Sequence, residues 1–442
     1  MENALIKTAK FGGSSLADAG QFRKVRDIVT SDQTVRYVVA SAPGKRFAGD
    51  VKVTDMFYEC YGCSYDNLKF GELFGKIKNR FNSIIEELGI DYSLEKEYEE
   101  IEDSLRHSTG RDYSASRGEY LNGKILAAYL GFDFIDAFDM VFFREDGSFD
   151  SEKTNAVLSE RLKNSVRAVI PGFYGSMPNG TVKTFSRGGS DVTGSIVARA
   201  SQSDIYENWT DVSGFLVADP RIVDNPKTIR AITYRELREL SYMGASVLHE
   251  EAIFPVRTCG IPINIRNTNT PDEPGTMIMP SCPADGNGEI TGIAGKKGFS
   301  VINIEKDLMN MQHGFGRKVL SVLENSGINY EHLPSGIDTM SVIVNTEDIA
   351  PYRNMVMNNI CTTVEPDSIS IEDGIALIAI VGRNMARAKG TAARILRAVA
   401  DADVNVRMID QGSDEINIIL GVDENDFERA IRAIYAKFEE RI

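Results

Sequence analysis

The chain has 442 residues, with 49 Lys plus Arg against 64 Asp plus Glu, so its formal net charge is -15 with histidine neutral. At about 150 residues per domain, this length predicts roughly three domains and is ample for a buried core. The acidic balance disfavours a protein that binds phosphate backbones or anionic membranes. No apolar run approaches the roughly 18 residues that span a bilayer, and the N-terminal residues lack a signal-type apolar stretch. We therefore expect a cytoplasmic protein with no nucleic-acid partner and no membrane partner.

Five cysteines are scattered over this length, which suits a reducing compartment better than a disulfide scaffold. Cys60 and Cys63 form a CxxC pair, but a zinc site needs further thiolate or imidazole ligands at matching spacing. The sequence contains no second CxxC, and its four histidines are far from one another. We therefore predict chemistry that uses neither a metal–histidine cluster nor a Ser-His-Asp triad.

The first predicted strand ends in Lys10-Phe11 and is followed by a double glycine, Gly12-Gly13. The next segment is predicted to be an amphipathic helix whose apolar face is made by Phe22, Val25, Ile28 and Val29. A strand, a glycine turn and a helix N-terminus present free backbone N–H groups, and phosphate is the natural guest beside a lysine. The spacing matches neither GxxxxGK[ST] nor GxGxxG, so neither a P-loop nor a dinucleotide fold is predicted. Taken alone, the double glycine is equally consistent with a simple tight turn.

Residues 1 to about 285 alternate short β-rich runs with helical segments, as expected of a largely parallel sheet. The clearest β-rich runs are residues 35–40, 168–170 and 263–265. Residues 66–106 are rich in Glu, Lys and Leu, which predicts solvated helices attached to that sheet. The Pro/Asn/Gly-rich stretch 267–288 is the predicted junction between domains.

Two further polar motifs interrupt this alternation. The segment 185–191, Phe-Ser-Arg-Gly-Gly-Ser-Asp, opens onto a predicted helix at 192–200. Within it, Arg187 offers a planar guanidinium suited to a carboxylate, whereas Asp191 is equally well explained as a favourable charge at a helix start. A third predicted turn, Ser116-Arg117-Gly118-Glu119, supplies an anion that suits either an ammonium group or a surface salt bridge.

The C-terminal third contains an internal duplication. Shifting the sequence by 76 positions aligns 314–344 with 390–420 without a gap. Identical pairs in this alignment are Gly314/Gly390, Leu320/Leu396, Asn329/Asn405, Gly336/Gly412, Asp338/Asp414 and Ile343/Ile419. Each copy has the pattern of a strand, a glycine-bearing loop, an amphipathic helix and two strands, which predicts a small sheet covered by a helix on one face. Such a repeat is either a pair of packing modules or a pair of ligand-sensing modules.

Together these motifs resemble the successive signatures of the aspartokinases, the aspartate-specific branch of the amino-acid kinase superfamily. The matching segments are KFGGSSLAD at 10–18, SAPGKR at 41–46, KVTD at 52–55, SRGE at 116–119, FSRGGSD at 185–191, WTDV at 209–212 and DPR at 219–221. In the repeat, PSGID at 334–338 and QGSDEINI at 411–418 resemble the tandem ACT domains of the same enzymes. The resemblance covers nearly the whole chain in the expected order.

The resemblance implies an α/β fold of the amino-acid kinase type, a largely parallel sheet sandwiched by helices, followed by two ferredoxin-like βαββαβ ACT domains. The implied domains are a catalytic domain at 1–285, a first ACT domain at 286–370 and a second at 371–442. A strand near 289–297 is a candidate to join the second ACT domain.

The implied reaction is transfer of the γ-phosphoryl group of ATP to the side-chain carboxylate of L-aspartate, giving 4-phospho-L-aspartate. This is the first step of lysine, threonine and methionine biosynthesis. A carboxylate with an ordinary pKa near 4 is already ionised at neutral pH, so this nucleophile needs no general base. The difficulty is electrostatic, because an anion must approach a polyanion, and catalysis then consists of positioning plus positive charge. Mg²⁺ is expected on the ATP phosphates, and no protein metal ligand is predicted.

By match to the motifs, the resemblance assigns roles to individual residues. Lys10 would neutralise charge on the transferred phosphoryl group, and Asp191 would organise that lysine rather than accept a proton. The residues implied to bind ATP are Lys10, Gly12, Gly13, Ser14, Thr210, Asp211, Arg221, Ser246 and Val247. The residues implied to bind the substrate are Ser41, Thr54, Glu119, Arg187, Gly188, Gly189 and Ser190. Of these, Arg187 would hold the α-carboxylate of aspartate and Glu119 its ammonium group.

Two positions depart from the family's pattern. Where the family often has GAKVLHP, this chain has GASVLHE at 244–250, so Ser246 replaces a lysine that commonly contacts the nucleotide. Leu216 stands where a nucleotide-stacking tyrosine is common. These substitutions put the ATP affinity and the base contacts in question but leave the predicted catalytic pair intact.

For the repeat, the resemblance implies a homodimer or a dimer of dimers formed through the ACT domains, and inhibition by an end-product amino acid bound at the interface. The residues implied to bind this effector are Met311, Gly314, Phe315, Gly316, Asn329, Tyr330 and Glu331. Backbone N–H groups at 314–316 suit an α-carboxylate, and Glu331 suits a basic side chain or an ammonium group. Lysine is therefore the preferred effector, with threonine, or both together, as the alternatives.

Two other functions remain open at this point. A related kinase that acts on glutamate or acetylglutamate would share the glycine turns, but it would not predict SRGE together with the ACT pair. A non-catalytic amino-acid sensor would retain the ACT pair, but it would have no reason to keep Lys10, Arg187 and Asp191 in register.

Overall fold

The computed structural model of the protein describes residues 5–107, 110–186, 188–245, 248, 250–282 and 288–439. The described residues divide into two compact units. The first lies within Met1–Phe215, Arg230–Tyr234 and Val247–Cys282, and the second within Leu216–Ile229, Arg235–Ser246 and Pro283–Ile442. None of the helices in the described part of the chain is both long and apolar enough to cross a membrane.

Strands and helices alternate through the first 282 residues. The strands are β1 Lys7–Phe11, β2 Val35–Ala40, β3 Asp133–Phe134, β4 Ala168–Pro171, β5 Tyr174–Ser176, β6 Val182–Thr184, β7 Ile205–Thr210, β8 Ala231–Thr233, β9 Ile263–Asn267 and β10 Thr276–Met279. The helices are α1 Ala19–Ser31, α2 Val53–Gly62, α3 Asn67–Leu88, α4 Glu95–Arg106, α5 Arg111–Leu130, α6 Ser151–Lys163, α7 Gly189–Ala200, α8 Tyr234–Tyr242 and α9 Glu250–Arg257.

Within the described residues, eight of these strands form one sheet in the order β3-β4-β2-β1-β7-β9-β10-β8. The strands from β3 to β9 in this order are mutually parallel, and β10 runs antiparallel to β9. The predicted largely parallel sheet is therefore confirmed. The strand order reverses at β1, because β2, the next strand in the chain, lies on one side of it and the later strand β7 lies on the other side. Ligands in open α/β sheets bind at the carboxyl ends of the strands near such a switch point.

The core of the first unit includes the helices that follow β2. The predicted apolar face of α1 is confirmed, because Phe22, Val25, Ile28 and Val29 are all buried. The prediction of solvated helices at 66–106 is wrong in part, because α3 and α4 bury nine large apolar side chains between them. Those side chains are Phe70, Phe74, Ile77, Phe81, Ile84, Ile85, Tyr98, Ile101 and Leu105. The predicted junction at 267–288 is not a linker over its whole length, because it contains strand β10 of the sheet.

The C-terminal part of the chain forms a second sheet. Its strands are β11 Gly292–Glu305, β12 Tyr330–His332, β13 Thr339–Asn345, β14 Ser368–Val381, β15 Val406–Asp410 and β16 Asn417–Asp423. Its helices are α10 Phe315–Asn325, α11 Thr346–Ile349, α12 Arg353–Val364, α13 Thr391–Asp401 and α14 Phe427–Phe438. The described strands are ordered β12-β13-β11-β14-β16-β15, and every neighbouring pair is antiparallel. The two copies of the sequence repeat therefore share one continuous antiparallel sheet.

The long strands β11 and β14 each serve both copies. The first part of β11, from Gly292 to Lys296, pairs with the last part of β14, whereas Val301 to Glu305 pairs with its first part. The register changes between these parts, near Gly298 (φ +92°) and Gly374 (φ +81°), which are equivalent positions of the repeat. Each copy thus combines four strands with two helices, as the ferredoxin-like fold requires, but it takes one of those strands from a segment outside its own repeat.

The two strand glycines support a stability prediction. Because an L side chain is disfavoured at positive φ, Gly298→Ala should lower the free energy of unfolding of the second unit by about 1–2 kcal/mol. As a matched control, Gly71→Ala places a methyl group within α3, where nothing lies within 4 Å of the new Cβ. That variant should be more stable by about 0.5–1 kcal/mol, since alanine has the higher helix propensity. Calorimetric unfolding would show opposite shifts of the transition temperature, and shifts of the same sign would refute the prediction.

Candidate active site

A buried lysine and an aspartate meet at the carboxyl end of the central strands. Lys10, on β1, is 6% exposed, and its Nζ lies 2.5 Å from Asp191 Oδ1 and 3.3 Å from Asn208 Oδ1. Asn208 Nδ2 in turn donates to Asp191 Oδ1 over 2.8 Å. The parallel register of β1 and β7 sets Lys10 beside Asn208, while α7 supplies Asp191 in its first turn. The predicted association of Lys10 with Asp191 is therefore present, and Asn208 is a third member that the sequence did not single out.

The double glycine after β1 packs against the loop after β2. Gly12 N donates to Trp209 O over 3.0 Å, and Gly44 N donates to Gly13 O over 2.8 Å. A Cβ added to Gly44 would come within 2.6 Å of the Gly13 carbonyl carbon, so this approach requires glycine. The helix predicted after the double glycine is present as α1, but it does not begin at the glycines. A 3₁₀ turn, Gly13–Leu16, intervenes, and α1 begins only after Asp18, whose carboxylate caps it.

Glu119 lies deep in the same region. Ser116–Glu119 was predicted as a turn, but these residues lie within α5. Gly118 allows α5 to approach the loop after β2, because a Cβ there would lie 2.8 Å from the Ala42 side chain. The Glu119 carboxylate is 6% exposed, accepts a hydrogen bond from the Ala42 N–H, and has a buried Oε2 without a partner among the described residues. Burial raises the pKa of Glu119 to about 8.

Two other predicted substrate residues lie on the loop after β2 and on α2. Ser41 is buried, and its carbonyl accepts a 2.7 Å hydrogen bond from the fully buried amide of Asn122, one turn beyond Glu119 on α5. Thr54 is the second residue of α2, and the preceding Val53 N–H donates to Pro43 O over 3.3 Å. The loop from Ser41 to Gly44 therefore contacts both the glycine turn and the helices that carry the predicted substrate residues.

The start of α7 is covered by a turn that the sequence did not mark as functional. Gly188 caps α7 with φ +56°, and Gly189 packs so closely that a Cβ there would lie 2.4 Å from the Phe173 ring. Phe173 itself has φ +80°, an uncommon conformation for an aromatic residue and a frequent sign of a functional constraint. A Cβ on the neighbouring Gly172 would similarly lie 2.8 Å from Ser190. The only sequence signal was the Pro171-Gly172 pair at the end of β4.

The remaining predicted ATP residues are less closely grouped. Ser14 is half-buried in the 3₁₀ turn. Thr210 is the last residue of β7 and Asp211 follows it, and the Thr210 hydroxyl donates to Asp211 Oδ1 over 3.1 Å. Arg221 belongs to the second compact unit, where its exposed guanidinium lies 2.6 Å from Asp219. The predicted residues Arg187, Ser246 and Val247 lie outside the described residues.

The predicted effector residues lie in two places in the first copy, just before and at the start of α10 and at the start of β12. Gly314 caps this helix with φ +74°, as its repeat partner Gly390 does for α13 with φ +86°. Met311, Asn329 and Tyr330 are exposed. Phe315 is different, because its side chain is buried in the core of the first copy, so only its backbone is suited to a ligand.

Glu331 already has a partner within the second unit. Its Oε2 accepts a 2.5 Å hydrogen bond from the hydroxyl of Tyr242, and this bond raises the pKa of Tyr242 to about 12.

The first cysteine of the CxxC pair, Cys60, is a buried thiol, and burial raises its pKa to about 12. In the part of the chain that the structure describes, no group of three or more His, Cys, Asp or Glu residues is arranged to hold a metal ion.

A parallel sheet with two glycine turns and a buried cation at its carboxyl edge is an arrangement suited to binding phosphate groups. The amino acid kinase family model matches residues 7–267, so the class of protein is a kinase that acts on amino acids or related small molecules. An ACT domain model matches residues 378–438. Aspartokinase 3 of Bacillus subtilis (strain 168) is 41% identical, over 98% of this chain and 98% of its own length. The chain belongs to the aspartokinase family and is therefore an ATP-dependent kinase.

Solved structures agree with this assignment. The crystal structure of Clostridium acetobutylicum aspartate kinase, an allosteric enzyme, matches with a TM-score of 0.89 and 51% identity, covering 98% of this chain and 100% of that chain. Escherichia coli aspartokinase III in complex with aspartate and ADP matches with a TM-score of 0.72 at 23% identity, covering 98% and 100% of the two chains. The second likeness extends to the fold alone.

Proposed function

We propose that this enzyme transfers the γ-phosphoryl group of ATP to the side-chain carboxylate of L-aspartate and forms 4-phospho-L-aspartate. The observation that carries the proposal is the buried Lys10 ammonium beside the glycine turn, held by Asp191 and Asn208. Membership of the aspartokinase family supports the choice of aspartate as the phosphoryl acceptor.

The chemistry follows from charge and position. The aspartate carboxylate is ionised at neutral pH and needs no base, so the enzyme must bring two anions together and stabilise their charge. Lys10 supplies a cation that its two partners fix in place before the substrates arrive. Asp191 Oδ1 is occupied by Lys10 and Asn208, which suits a positioning role better than proton transfer. Gly12, Gly13 and Ser14 would form the phosphate cradle, and Mg²⁺ bound to the ATP phosphates would supply further positive charge.

The acceptor would occupy the region lined by the start of α7, the loop after β2 and α5. Glu119 is the proposed partner of the substrate ammonium, because its buried Oε2 has no hydrogen-bond donor among the described residues. Arg187 is the proposed partner of the α-carboxylate, with Gly188, Gly189 and Ser190 beside it. Ser41 and Thr54 would complete the pocket. For the nucleotide, Thr210, Asp211 and Arg221 are the proposed contacts, and Ser246, Val247 and Leu216 would give base contacts that differ from the family's usual pattern.

The proposal extends to pathway and regulation. The product would be the first intermediate of lysine, threonine and methionine biosynthesis in the cytoplasm, and lysine or threonine would inhibit the enzyme through the ACT copies. Four large apolar side chains of the first copy are 49–72% exposed, which supports dimerisation through this copy. They are Leu308, Met311, Tyr330 and Ile337.

Part of the kinase region is joined to the regulatory copies. The second unit includes Arg235–Ser246, which the kinase family model also covers. Within this unit, the buried carboxylate of Glu236 accepts hydrogen bonds from Arg383 Nη1 over 3.0 Å and from the Thr291 hydroxyl over 2.6 Å. These bonds support a regulatory role for the ACT copies, because α8 and the second copy are held together.

Trapping of the acyl phosphate tests the proposal. With Mg-ATP and hydroxylamine, we expect a hydroxamate from aspartate and none from glutamate or acetylglutamate. A product from glutamate alone would favour the related kinases, and no product from any of the three would favour a sensor without catalysis. The same assay with lysine, threonine and both together tests regulation. Lysine should inhibit the wild-type enzyme and inhibit Glu331→Gln less, whereas Glu324→Gln, an exposed change on α10, should respond as the wild type does.

A further inference from the structure

The loop from Ser41 to Gly44 forms a wall shared by the two halves of the proposed active site. On the nucleotide side, Gly44 N donates to Gly13 O, and a Cβ on Gly13 would lie 2.9 Å from Ala42 O. On the acceptor side, Ala42 N donates to Glu119 and Ser41 O accepts from Asn122. A displacement of this loop would therefore move the phosphate-binding turn and the acceptor pocket together.

A single side chain of α3 holds the far end of this loop. Arg80 Nη2 donates to Gly44 O over 2.9 Å, and Arg80 Nη1 lies 2.9 Å from Asp50 Oδ2. The Arg80 side chain is only 5% exposed, and Asp50 is 11% exposed. The Asp50 carboxylate also accepts hydrogen bonds from the side chain and the backbone N–H of Arg46. These bonds connect residues 46 and 50 within the segment that follows Gly44. Arg80 thus joins α3 to the carbonyl oxygen of Gly44, the residue that contacts Gly13.

A purely stabilising role explains this arrangement poorly. A buried guanidinium loses its hydration, and here the Nε of Arg80 is buried without a hydrogen-bond partner in the described structure. Buried ion pairs often contribute no more stability than apolar side chains of similar volume. Two directed hydrogen bonds from a planar guanidinium do, however, fix a backbone position to within a narrow range.

We propose that Arg80 is a positioning residue for phosphoryl transfer: by holding Gly44 O it keeps the loop after β2 pressed against Gly13, and so sets the shape of the phosphate-binding glycine turn. The inference rests on the proposed function for the identity of the reaction. It adds a role for α3 beyond the apolar side chains that this helix supplies to the core.

The test compares Arg80→Met with the same substitution of an arginine on α4. Arg106→Met removes a guanidinium that binds Glu102 and Asn67 and lies over the Phe70 ring, but that has no hydrogen bond or ion pair with the loop among the described residues. We expect both variants to unfold at a lower temperature than the wild type. Arg80→Met should lower kcat/KM for ATP about 30-fold and weaken Mg-ADP binding in titration calorimetry, whereas Arg106→Met should stay within twofold of the wild type in both measurements.

Two further variants separate positioning from folding. Arg80→Lys can restore one of the two contacts and should recover part of the lost kcat/KM. Asp50→Asn leaves the bond to Gly44 O and should lose less than Arg80→Met does. The effects of Asp50→Asn and Arg80→Met should also be less than additive, because the two residues act through one contact. If Arg80→Met does not fold, these two variants carry the test.

The outcomes distinguish this inference from the proposed function. Equal kinetics and equal Mg-ADP affinity for folded Arg80→Met and Arg106→Met would overturn the positioning role, even if the wild-type enzyme phosphorylates aspartate. If the wild type yields no aspartyl hydroxamate, the proposed function fails, and Mg-ADP affinity alone then decides the role of Arg80.

Discussion

Lys10→Met is expected to lower kcat about 1000-fold while the protein remains folded. Loss of a single preorganised donor to developing charge typically costs 10²–10³ in kcat, and Lys10 is a full cation in a buried site. Among the residues that the structure describes, the substitution leaves the Asn208 amide as the side chain bonded to the Asp191 carboxylate, so a negative charge remains near the proposed position of the ATP phosphates. ADP release in a coupled assay, with aspartate and Mg-ATP near saturation, measures the effect.

Lys7→Met is the matched control for this change. Lys7 lies three residues earlier on β1, on the opposite face of the strand, where its Nζ is 2.7 Å from Asp32 and 3.2 Å from Glu207. It therefore has similar ion pairs but no part in the proposed site. We expect its loss to reduce thermal stability and to leave kcat within threefold. A Lys10→Met enzyme that retained a tenth or more of the wild-type kcat would contradict the catalytic assignment.

Glu119→Gln is expected to raise the KM for aspartate about 100-fold and to change the KM for ATP little. The amide keeps the shape of the carboxylate but cannot pair its charge with the substrate ammonium, and a charge-assisted contact in a buried site is worth more than a neutral one. Glu97→Gln is a suitable control. Glu97, on α4, forms an ion pair with Lys124, which lies on α5 as Glu119 does. Separate aspartate and ATP titrations of both variants would decide, and an unchanged aspartate KM in Glu119→Gln would refute the role.

The pH dependence provides an independent check on Glu119. Its folded pKa of about 8 exceeds the ordinary value of 4.5, so the carboxyl is protonated in the free enzyme over most of that interval. If the ionised form binds the ammonium, kcat/KM for aspartate should rise with pH up to about 8 in the wild type and should lose this rise in Glu119→Gln. The native state binds the extra proton, so the stabilising contribution is complete below pH 4.5 and is lost as pH rises through 8. The unfolding temperature of Glu119→Gln, measured relative to that of the wild type, should therefore rise between pH 5 and pH 9.

Local sequence patterns were sufficient to predict helices with one apolar and one polar face and strands with a short apolar run. The apolar stripe of α1 and the β-rich runs that became β2, β4 and β9 were all recognisable, since one side of each element is distinct in composition or the run is uniformly apolar. α5 was missed around Glu119 for the opposite reason. From Ser114 to Ala127 most of its residues are buried, so the helix lacks an amphipathic stripe and its Ser-Arg-Gly-Glu segment has the composition of a turn.

The site was predictable only as far as sequence neighbours define it. Lys10 and Asp191 belong to motifs and could be found, but Asn208 is identified by its position beside Lys10 in the neighbouring strand. Phe173 likewise matters because of its contact with Gly189, which arises from packing of a turn on a helix. The grouping of Leu216–Ile229 and Arg235–Ser246 with the C-terminal copies was not predictable either, since it depends on contacts made far along the chain.

The strands shared between the two ACT copies affect when the chain can fold during its synthesis. Gly292 of β11 pairs with Val381 of β14, which in turn pairs with Asn417 of β16. Pairings this distant must wait until late in translation, so the early copy emerges from the ribosome with unpaired strand edges and exposed apolar faces. A nascent chain stalled between the copies should therefore be a substrate for chaperones or proteases. Folding of the two copies should occur as one event near the end of synthesis, rather than one copy after the other.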